Sequence, residues 1–446
     1  MNSHQEHGAD SATTSATVLD RLSPRGRLVG LDVARGIALL AMMVTHIFAL
    51  GDETGMPTWA AAFAGRASAL FAVLAGCSLV LSTRSRLAES GRLRDAAPSV
   101  LIRAAAIVII GLCLGSISSL LAVILVNYGV MFALALFFLR LRASTLFVLA
   151  GVWMVLSPVV SMIVRSEFGL EPGYLPLSWF DLATPGPMLT DLFLTGYYPV
   201  LQWLSYILLG MAVAKLDISR HLLAVFTAGL GLFVLGRGVS WLLLNLAGGG
   251  AELVDVSEYF GTDLTAALFT GSHGVTPATS WWWLAIAGPH SGTPFDLLST
   301  GGTALMTIAA CQAAAVLLGR KSWLLAPLSA PGSMPLSVYS AHVVFLESTR
   351  PMIVAQPWEG TGTASEQSLE FAIHALTFVL LPLLWKMFVN PRGPFESGIA
   401  AIIRSATPAP AALSQSDSPG FPDSPGAPGS PGPPGAPGSP DSNAPR

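Results

Sequence analysis

The sequence predicts an all-α protein, a polytopic bundle of about ten transmembrane helices in the cell membrane with both termini cytoplasmic. Hydrophobic residues make up 52% of the 446 residues and charged residues only 11%, whereas soluble domains carry about a quarter charged residues. The mean hydropathy is +0.62. Apolar runs of about 20 residues, the length that crosses a bilayer as a helix, recur along the chain. The lipid bilayer is therefore the expected environment.

Ten apolar runs are long enough to be spans. They lie at residues 29–50, 59–82, 98–115, 121–139, 143–164, 191–214, 222–247, 295–318, 323–346 and 368–389. Prolines such as Pro199, Pro335 and Pro382 fall inside some runs and predict kinks, because neighbouring helices can satisfy the carbonyl groups that proline frees.

The basic residues set the orientation of these spans. If the amino terminus is cytoplasmic, most of the 23 Lys and Arg residues fall in loops on the same side. Only Arg165 and Arg350 fall on the opposite side, and Arg35, Arg66 and Arg237 lie within spans. By the positive-inside rule both termini are cytoplasmic.

The chain divides into three segments. Residues 1–26 are predicted to be a disordered cytoplasmic tail, because their polar start lacks the apolar core of a signal peptide. Residues 27–400 form the transmembrane domain. Residues 401–446 are rich in Pro, Gly and Ser and are predicted to be a second disordered cytoplasmic tail. A glycine at every third position from Gly426 to Gly438 favours an extended, polyproline-like chain there.

Charge and cysteine content exclude two functional classes. The net charge is -3 and no basic stripe is present, so nucleic acid is not an expected partner. Cys77, Cys113 and Cys311 lie in apolar runs, in neither CxxC nor Cys/His spacing. Neither a disulfide framework nor a metal site is predicted.

Polar residues at bilayer depth are the candidate functional residues, because burying a charge in lipid is costly. Helix register places many of them toward the outer face: His46, Arg66, Asn127, Tyr128, Gln202, Arg237 and His342. His290 lies in a loop at a similar depth. A polar outer cavity would hold imidazoles for proton transfer and guanidinium groups for an anion.

Structural roles compete with this interpretation at several positions. His46 and His342 can simply hydrogen-bond neighbouring helices, and His290 can be a surface histidine. Asp32 and Arg35, three residues apart near the inner boundary, can form an intrahelical pair or part of a site.

Several motifs carry a family resemblance over about residues 27–400. They read GLDVARGIALLAMMVTHI, GRASALFAVLAGCSLVL, PHSGTPFDLLSTGGTAL, MPLSVYSAHVVFL and PRGPFE. The chain resembles YeiB-like bacterial membrane proteins and, more distantly, the heparan-alpha-glucosaminide N-acetyltransferase-like membrane acyltransferases. The resemblance implies transfer of an acyl group, commonly acetyl from cytosolic acetyl-CoA, to an acceptor hydroxyl or amine at the far face. Asp32 and Arg35 match the family's opening Asp and Arg, but Met56 stands where the acetyltransferases have an essential histidine.

The working hypothesis is a membrane-bound O- or N-acyltransferase acting on a cell-envelope sugar, with acyl-CoA as donor and no metal. His46, with His342 or His290, would act as general base. Arg66 and Arg237 would stabilise the oxyanion or bind an acidic acceptor, and Arg35 would meet the phosphates of CoA. The alternative is a transporter or carrier of an anionic or lipid-linked solute that performs no covalent chemistry.

Overall fold

A computed structural model describes residues 21–22, 26–90, 92–117, 121–353 and 362–407. Most of the predicted amino-terminal tail, and residues 408–446 of the predicted carboxyl-terminal tail, lie outside the described residues. The final helix continues to Ala406, past residue 400, where the second tail was expected to begin.

The described part of the chain is helical and contains no β-sheet, which confirms the all-α prediction. Its α-helices in chain order are α1 (Val29–Ile47), α2 (Arg66–Ser90), α3 (Leu93–Ile117), α4 (Leu125–Ala135), α5 (Ala143–Phe168), α6 (Pro185–Thr190), α7 (Val200–Ala214), α8 (Leu222–Asn245), α9 (Gly249–Phe260), α10 (Pro294–Leu318), α11 (Ala326–Ser333), α12 (Pro335–Ile353), α13 (Ala364–Phe388) and α14 (Pro394–Ala406).

Seven helical segments within the described residues are long and apolar enough to cross a membrane, or eight if α7 and the preceding Pro185–Thr195 segment form one span bent by 51°. Two of the ten predicted spans differ from the structure. The run at 121–139 contains only a short apolar helix, and the run at 323–346 is divided between α11, which continues the Pro294–Ser333 segment, and α12. A span number of ten and the cytoplasmic placement of both termini remain predictions.

Glycine pairs allow the central helices to cross in close contact. In each pair, a Cβ atom on either glycine would collide with a backbone carbonyl of the partner helix. Small residues at such crossings let two backbones approach closely, which is how membrane helices gain van der Waals contact. The pairs are Gly36 on α1 with Gly332 on α11, Gly76 on α2 with Gly210 on α7, and Gly229 on α8 with Gly302 on α10.

Two ends of the bundle carry the polar side chains. At the end where α1 begins, called the basic end below, cavities are lined by Arg35, Arg84, Arg103 and Lys215. At the opposite end, α1 meets the start of α13, where the backbone N–H of Ala49 donates to the side chain of Gln367 at 3.3 Å.

A carboxylate from α14 fixes the start of α12 at the basic end. Glu396 accepts hydrogen bonds from the backbone N–H groups of Leu336 at 2.8 Å and Ser337 at 3.2 Å, and from the Ser337 hydroxyl at 2.5 Å. Unpaired N–H groups in the first turn of a helix favour an anion. The pairing therefore ties α14 to the bundle.

Candidate functional site

His46 and His342 form a direct pair at the end of the bundle opposite the basic end. The Nδ1 atom of His46 lies 3.1 Å from the Nε2 atom of His342, and the rings are stacked with centroids 5.4 Å apart. His46 comes from the last turn of α1 and is partly exposed, whereas His342 on α12 is buried. Two histidines selected by depth alone are thus in contact.

A third histidine and an ion pair extend this cluster, and the sequence analysis missed all three residues. His374 on α13 lies with its ring centroid 5.3 Å from that of His342. Arg350 forms a buried ion pair with Glu370 at 3.3 Å and donates to the backbone carbonyl of His46 at 2.9 Å. No motif marks these positions; only the depth argument applied to α13 would have indicated His374 and Glu370.

His290 is held by a strained loop beside α7. It is the non-glycine residue with a left-handed backbone conformation among the described residues, at φ 52°, and its carbonyl accepts from the Gly274 N–H at 2.9 Å. Its ring stacks on Trp203 at 6.1 Å and contacts Tyr197 at 4.8 Å. Burial, supported by nearby His273 and His46, lowers the pKa of His290 to about 3. The imidazole is therefore neutral at physiological pH and is a weak base.

Arg66 and Arg237 lie near each other and near a carboxylate that the sequence analysis passed over. Asp296, in the first turn of α10, is buried and interacts electrostatically with both guanidinium groups. Arg66 hydrogen-bonds the carbonyl of Ala62 and Arg237 that of Ala287 at 3.2 Å. Neither arginine forms an ion pair with the described residues, so both side chains can bind an anion.

Arg35 contributes both to an ion pair and to a cavity at the basic end. Its guanidinium donates to Asp32 at 2.6 Å and to the Ser78 hydroxyl at 2.9 Å. Asp32 also accepts from Arg27 at 2.5 Å. The intrahelical pairing that the spacing allowed is therefore present, and Asp32 holds both cations in place.

The cavity beside Arg35 has a volume of about 180 Å³. Besides Arg35, its polar lining consists of Ser78, Arg103, Tyr128, Tyr339 and Glu396, and its apolar lining of Phe71, Ala75, Ile107, Leu125, Phe132, Pro335, Leu336 and Ile399. It thus offers two guanidinium groups together with long apolar walls. Helices α1 to α4, α12 and α14 enclose it.

Tyr128, Asn127 and Gln202 make different contacts, although the sequence predicts one outer cavity for all three. Tyr128 lines the basic-end cavity. The Asn127 amide donates to the backbone carbonyl of Tyr198 at 2.8 Å. Asn127 therefore holds the backbone just before α7. Gln202 lies against Gly292 in the His290 loop.

Met56 provides no imidazole and is half exposed, at 50%, in the loop that follows α1. That loop is shaped by Asp52, whose carboxylate accepts from the backbone N–H groups of Thr54 and Met56 at 2.8 and 3.0 Å. The available imidazoles come from α1, α12, α13 and the His290 loop. Within the described ranges, no three His, Cys, Asp or Glu side chains gather as a metal site.

Comparison of the sequence with known protein families gives one match. The sequence pattern described as heparan-alpha-glucosaminide N-acetyltransferase, catalytic, matches residues 27–240. The matched part covers α1 to α7 and most of α8, and includes His46, Arg35, Arg66 and Arg103. A search of curated proteins gives no match. The chain is therefore a helical membrane protein whose residues 27–240 are similar to the catalytic domain of heparan-alpha-glucosaminide N-acetyltransferases.

Proposed function

We propose that the protein transfers an acetyl group from cytosolic acetyl-CoA, held in the basic-end cavity, to a hydroxyl or amine of a cell-envelope glycan at the opposite face. One observation carries the proposal. Tyr339 lines the cavity and His342 belongs to the histidine pair, and the two residues are one turn apart on α12. A rise of about 1.5 Å per residue separates their positions by only about 4.5 Å along the helix.

The cavity suits part of the donor. Its volume of about 180 Å³ is below the roughly 300–1,000 Å³ that holds a whole drug-sized ligand, so we assign to it the thioester end of the pantetheine arm. Its apolar walls would contact the arm. Arg35 and Arg103 would form charge-assisted hydrogen bonds with the phosphates of the nucleotide portion.

The reaction requires a base for the acceptor and stabilisation for the oxyanion. The acceptor oxygen or nitrogen attacks the thioester carbonyl, His46 takes the acceptor proton, and the carbon–sulfur bond breaks to release CoA as a thiolate that recovers a proton. His290 is the weaker candidate base, because a pKa of about 3 disfavours holding the acceptor proton near neutral pH. Arg66 and Arg237 would stabilise the oxyanion or bind an acidic group of the acceptor.

Binding of CoA tests the donor site directly. Protein in nanodiscs is titrated with CoA by calorimetry, and we expect Arg103→Met to weaken binding about tenfold or more, since a charge-assisted hydrogen bond contributes about 1.5–3 kcal/mol. Arg94→Met is the matched control, because Arg94 is 72% exposed and does not line the cavity. Absence of CoA binding by the parent protein would favour the carrier alternative.

Acetyl transfer tests the reaction. Labelled acetyl-CoA is supplied with glucosamine as the acceptor probe, and product is separated by chromatography. We expect His46→Ala to reduce transfer by roughly 100-fold, the scale of a general base, and to retain CoA binding. Transfer that persists at the parental rate in His46→Ala removes His46 from the mechanism.

A further inference from the structure

A second, smaller cavity lies beside the cavity of Arg35. Its polar lining consists of Ser82 and Arg86 on α2 and Ser99 and Arg103 on α3, and we call it the small basic pocket. Its volume is about 60 Å³. A single water needs roughly 10–15 Å³, so the pocket has room for a group the size of several waters, such as one phosphate.

The small basic pocket continues the larger cavity along three helices. On each helix, lining residues three or four positions apart form one stripe along a single face. In order from the larger cavity to the small pocket they are Phe71, Ala75, Ser78, Ser82 and Arg86 on α2, Ile107, Arg103 and Ser99 on α3, and Glu396, Ile399 and Ile403 on α14. Arg103 lines both cavities. The pocket therefore lies on the side of the larger cavity where α2 ends and α3 begins.

The small basic pocket has a positive charge. It contains the guanidinium groups of Arg86 and Arg103, and none of the described residues that line it is acidic. The hydroxyls of Ser82 and Ser99 donate to carbonyls of their own helices, at 3.1 and 2.7 Å. The two guanidinium groups are thus the hydrogen-bond donors for a ligand, and guanidinium groups bind phosphate with paired, charge-assisted hydrogen bonds.

Arg103 is available for such a ligand. It forms no hydrogen bond or ion pair with other residues in the described part of the chain. Glu396 interacts with it electrostatically, but the oxygens of Glu396 accept hydrogen bonds at the start of α12. Ile403 on α14 is buried and covers the small pocket. An apolar cover excludes water, which strengthens the attraction between a guanidinium group and an anion.

We propose that the small basic pocket binds a phosphate group of the acyl donor and so fixes the direction in which the donor lies. The inference rests on the proposed function for the identity of the donor. With a phosphate between Arg86 and Arg103, the pantetheine arm runs past Arg103 into the larger cavity. Tyr339 lines that cavity, so the thioester end points toward α12, the helix that carries His342.

Binding of inorganic phosphate tests the pocket independently of the reaction. Protein in a maltoside detergent, which contains no phosphorus, is titrated with phosphate, and line broadening in phosphorus-31 NMR measures binding. We expect Arg86→Met to weaken binding about tenfold or more. Ser82→Asp keeps both arginines but adds a carboxylate that repels phosphate, so it should weaken binding similarly. The control is Arg94→Met, because Arg94 is 72% exposed and lines neither cavity.

Two donors that differ in phosphate test the use of the pocket in acetyl transfer to glucosamine. Acetyl-CoA carries phosphates and acetyl-pantetheine carries none. We expect Arg86→Met to raise KM for acetyl-CoA about tenfold more than KM for acetyl-pantetheine, and an equal rise for both donors overturns the assignment. Absence of transfer from either donor in the parent overturns the proposed function. Phosphate binding that Arg86→Met and Ser82→Asp both leave unchanged overturns the phosphate pocket alone.

Discussion

Breaking the Arg350–Glu370 ion pair is expected to destabilise the protein strongly. The two side chains are 5% and 0% exposed and lie 3.3 Å apart. Removing one partner of a buried pair leaves an uncompensated charge and costs about 3–5 kcal/mol. At roughly 2 °C or more per kcal/mol, Glu370→Met should lower the melting temperature by at least about 6 °C.

The assay is thermal unfolding followed by tryptophan fluorescence in a fixed detergent, with four proteins compared as a double-mutant cycle. The double variant Arg350→Met with Glu370→Met should recover most of the loss, because no unpaired charge remains. The control is Asp217→Asn, which removes a surface pair with Arg220 whose side chains are 53% and 83% exposed. Such pairs contribute less than about 1 kcal/mol.

Two results would refute this reasoning. One is a melting temperature of Glu370→Met within about 1 °C of the parent, which would mean that solvent or another group compensates the Arg350 charge. The other is a double variant as unstable as the worse single variant, which would assign the stabilisation to packing of the side chains and not to their charges.

Further predictions concern a helix crossing, a histidine and a helix start. Gly210→Val should prevent folding or lower the melting temperature by several degrees, because the added carbons meet the backbone of α2. The control Gly231→Val should have little effect, because no atom lies within 4 Å of the Cβ position of Gly231. The yield of monodisperse protein in detergent measures the effect of both variants. The pKa of His290 is 6.5 in the unfolded chain and about 3 in the folded protein, so the parent protein should lose stability as the pH falls below about 6.5. His290→Asn should lose less stability over the same range. Melting temperatures measured from pH 7 to pH 4 compare the two proteins. Glu396→Ala should cost about 1.5–3 kcal/mol and expose the start of α14 to limited proteolysis, and an unchanged digestion pattern would contradict the assigned cap.

Hydropathy predicted the helical segments well because a span is defined by composition over about 20 residues. It failed at 323–346, where the structure ends α11 at Ser333 and begins α12 at Pro335. Apolar runs do not reveal such a break, since proline is tolerated in membrane helices. The short α4 was overestimated for a related reason, because hydropathy does not distinguish a span from buried apolar chain.

The sequence predicted how far along each helix the candidate site residues lie, but not toward which neighbouring helix each side chain is turned. Register correctly placed His46 and His342 at the same end of the bundle, and their contact at 3.1 Å depends on helix packing that no single sequence reports. Asp296 was missed because an acidic side chain in the first turn of a helix is ordinary and does not by itself indicate a site. His374 lies in an apolar run without a motif, and its importance appears only when α13 packs against α12.

The glycine crossings and the α14 cap have a consequence for dissecting this protein. The family match ends at residue 240, yet the cavity wall is completed by Tyr339 and Glu396, and His290 and His342 also follow that boundary. A fragment ending at residue 240 would lack the Tyr339 and Glu396 side of the cavity, and Gly229 would lack its partner Gly302. The matched segment is thus smaller than the unit that forms the cavity, and exchanging segments at residue 240 would separate Arg35 and Arg103 from Tyr339 and Glu396, which line the same cavity.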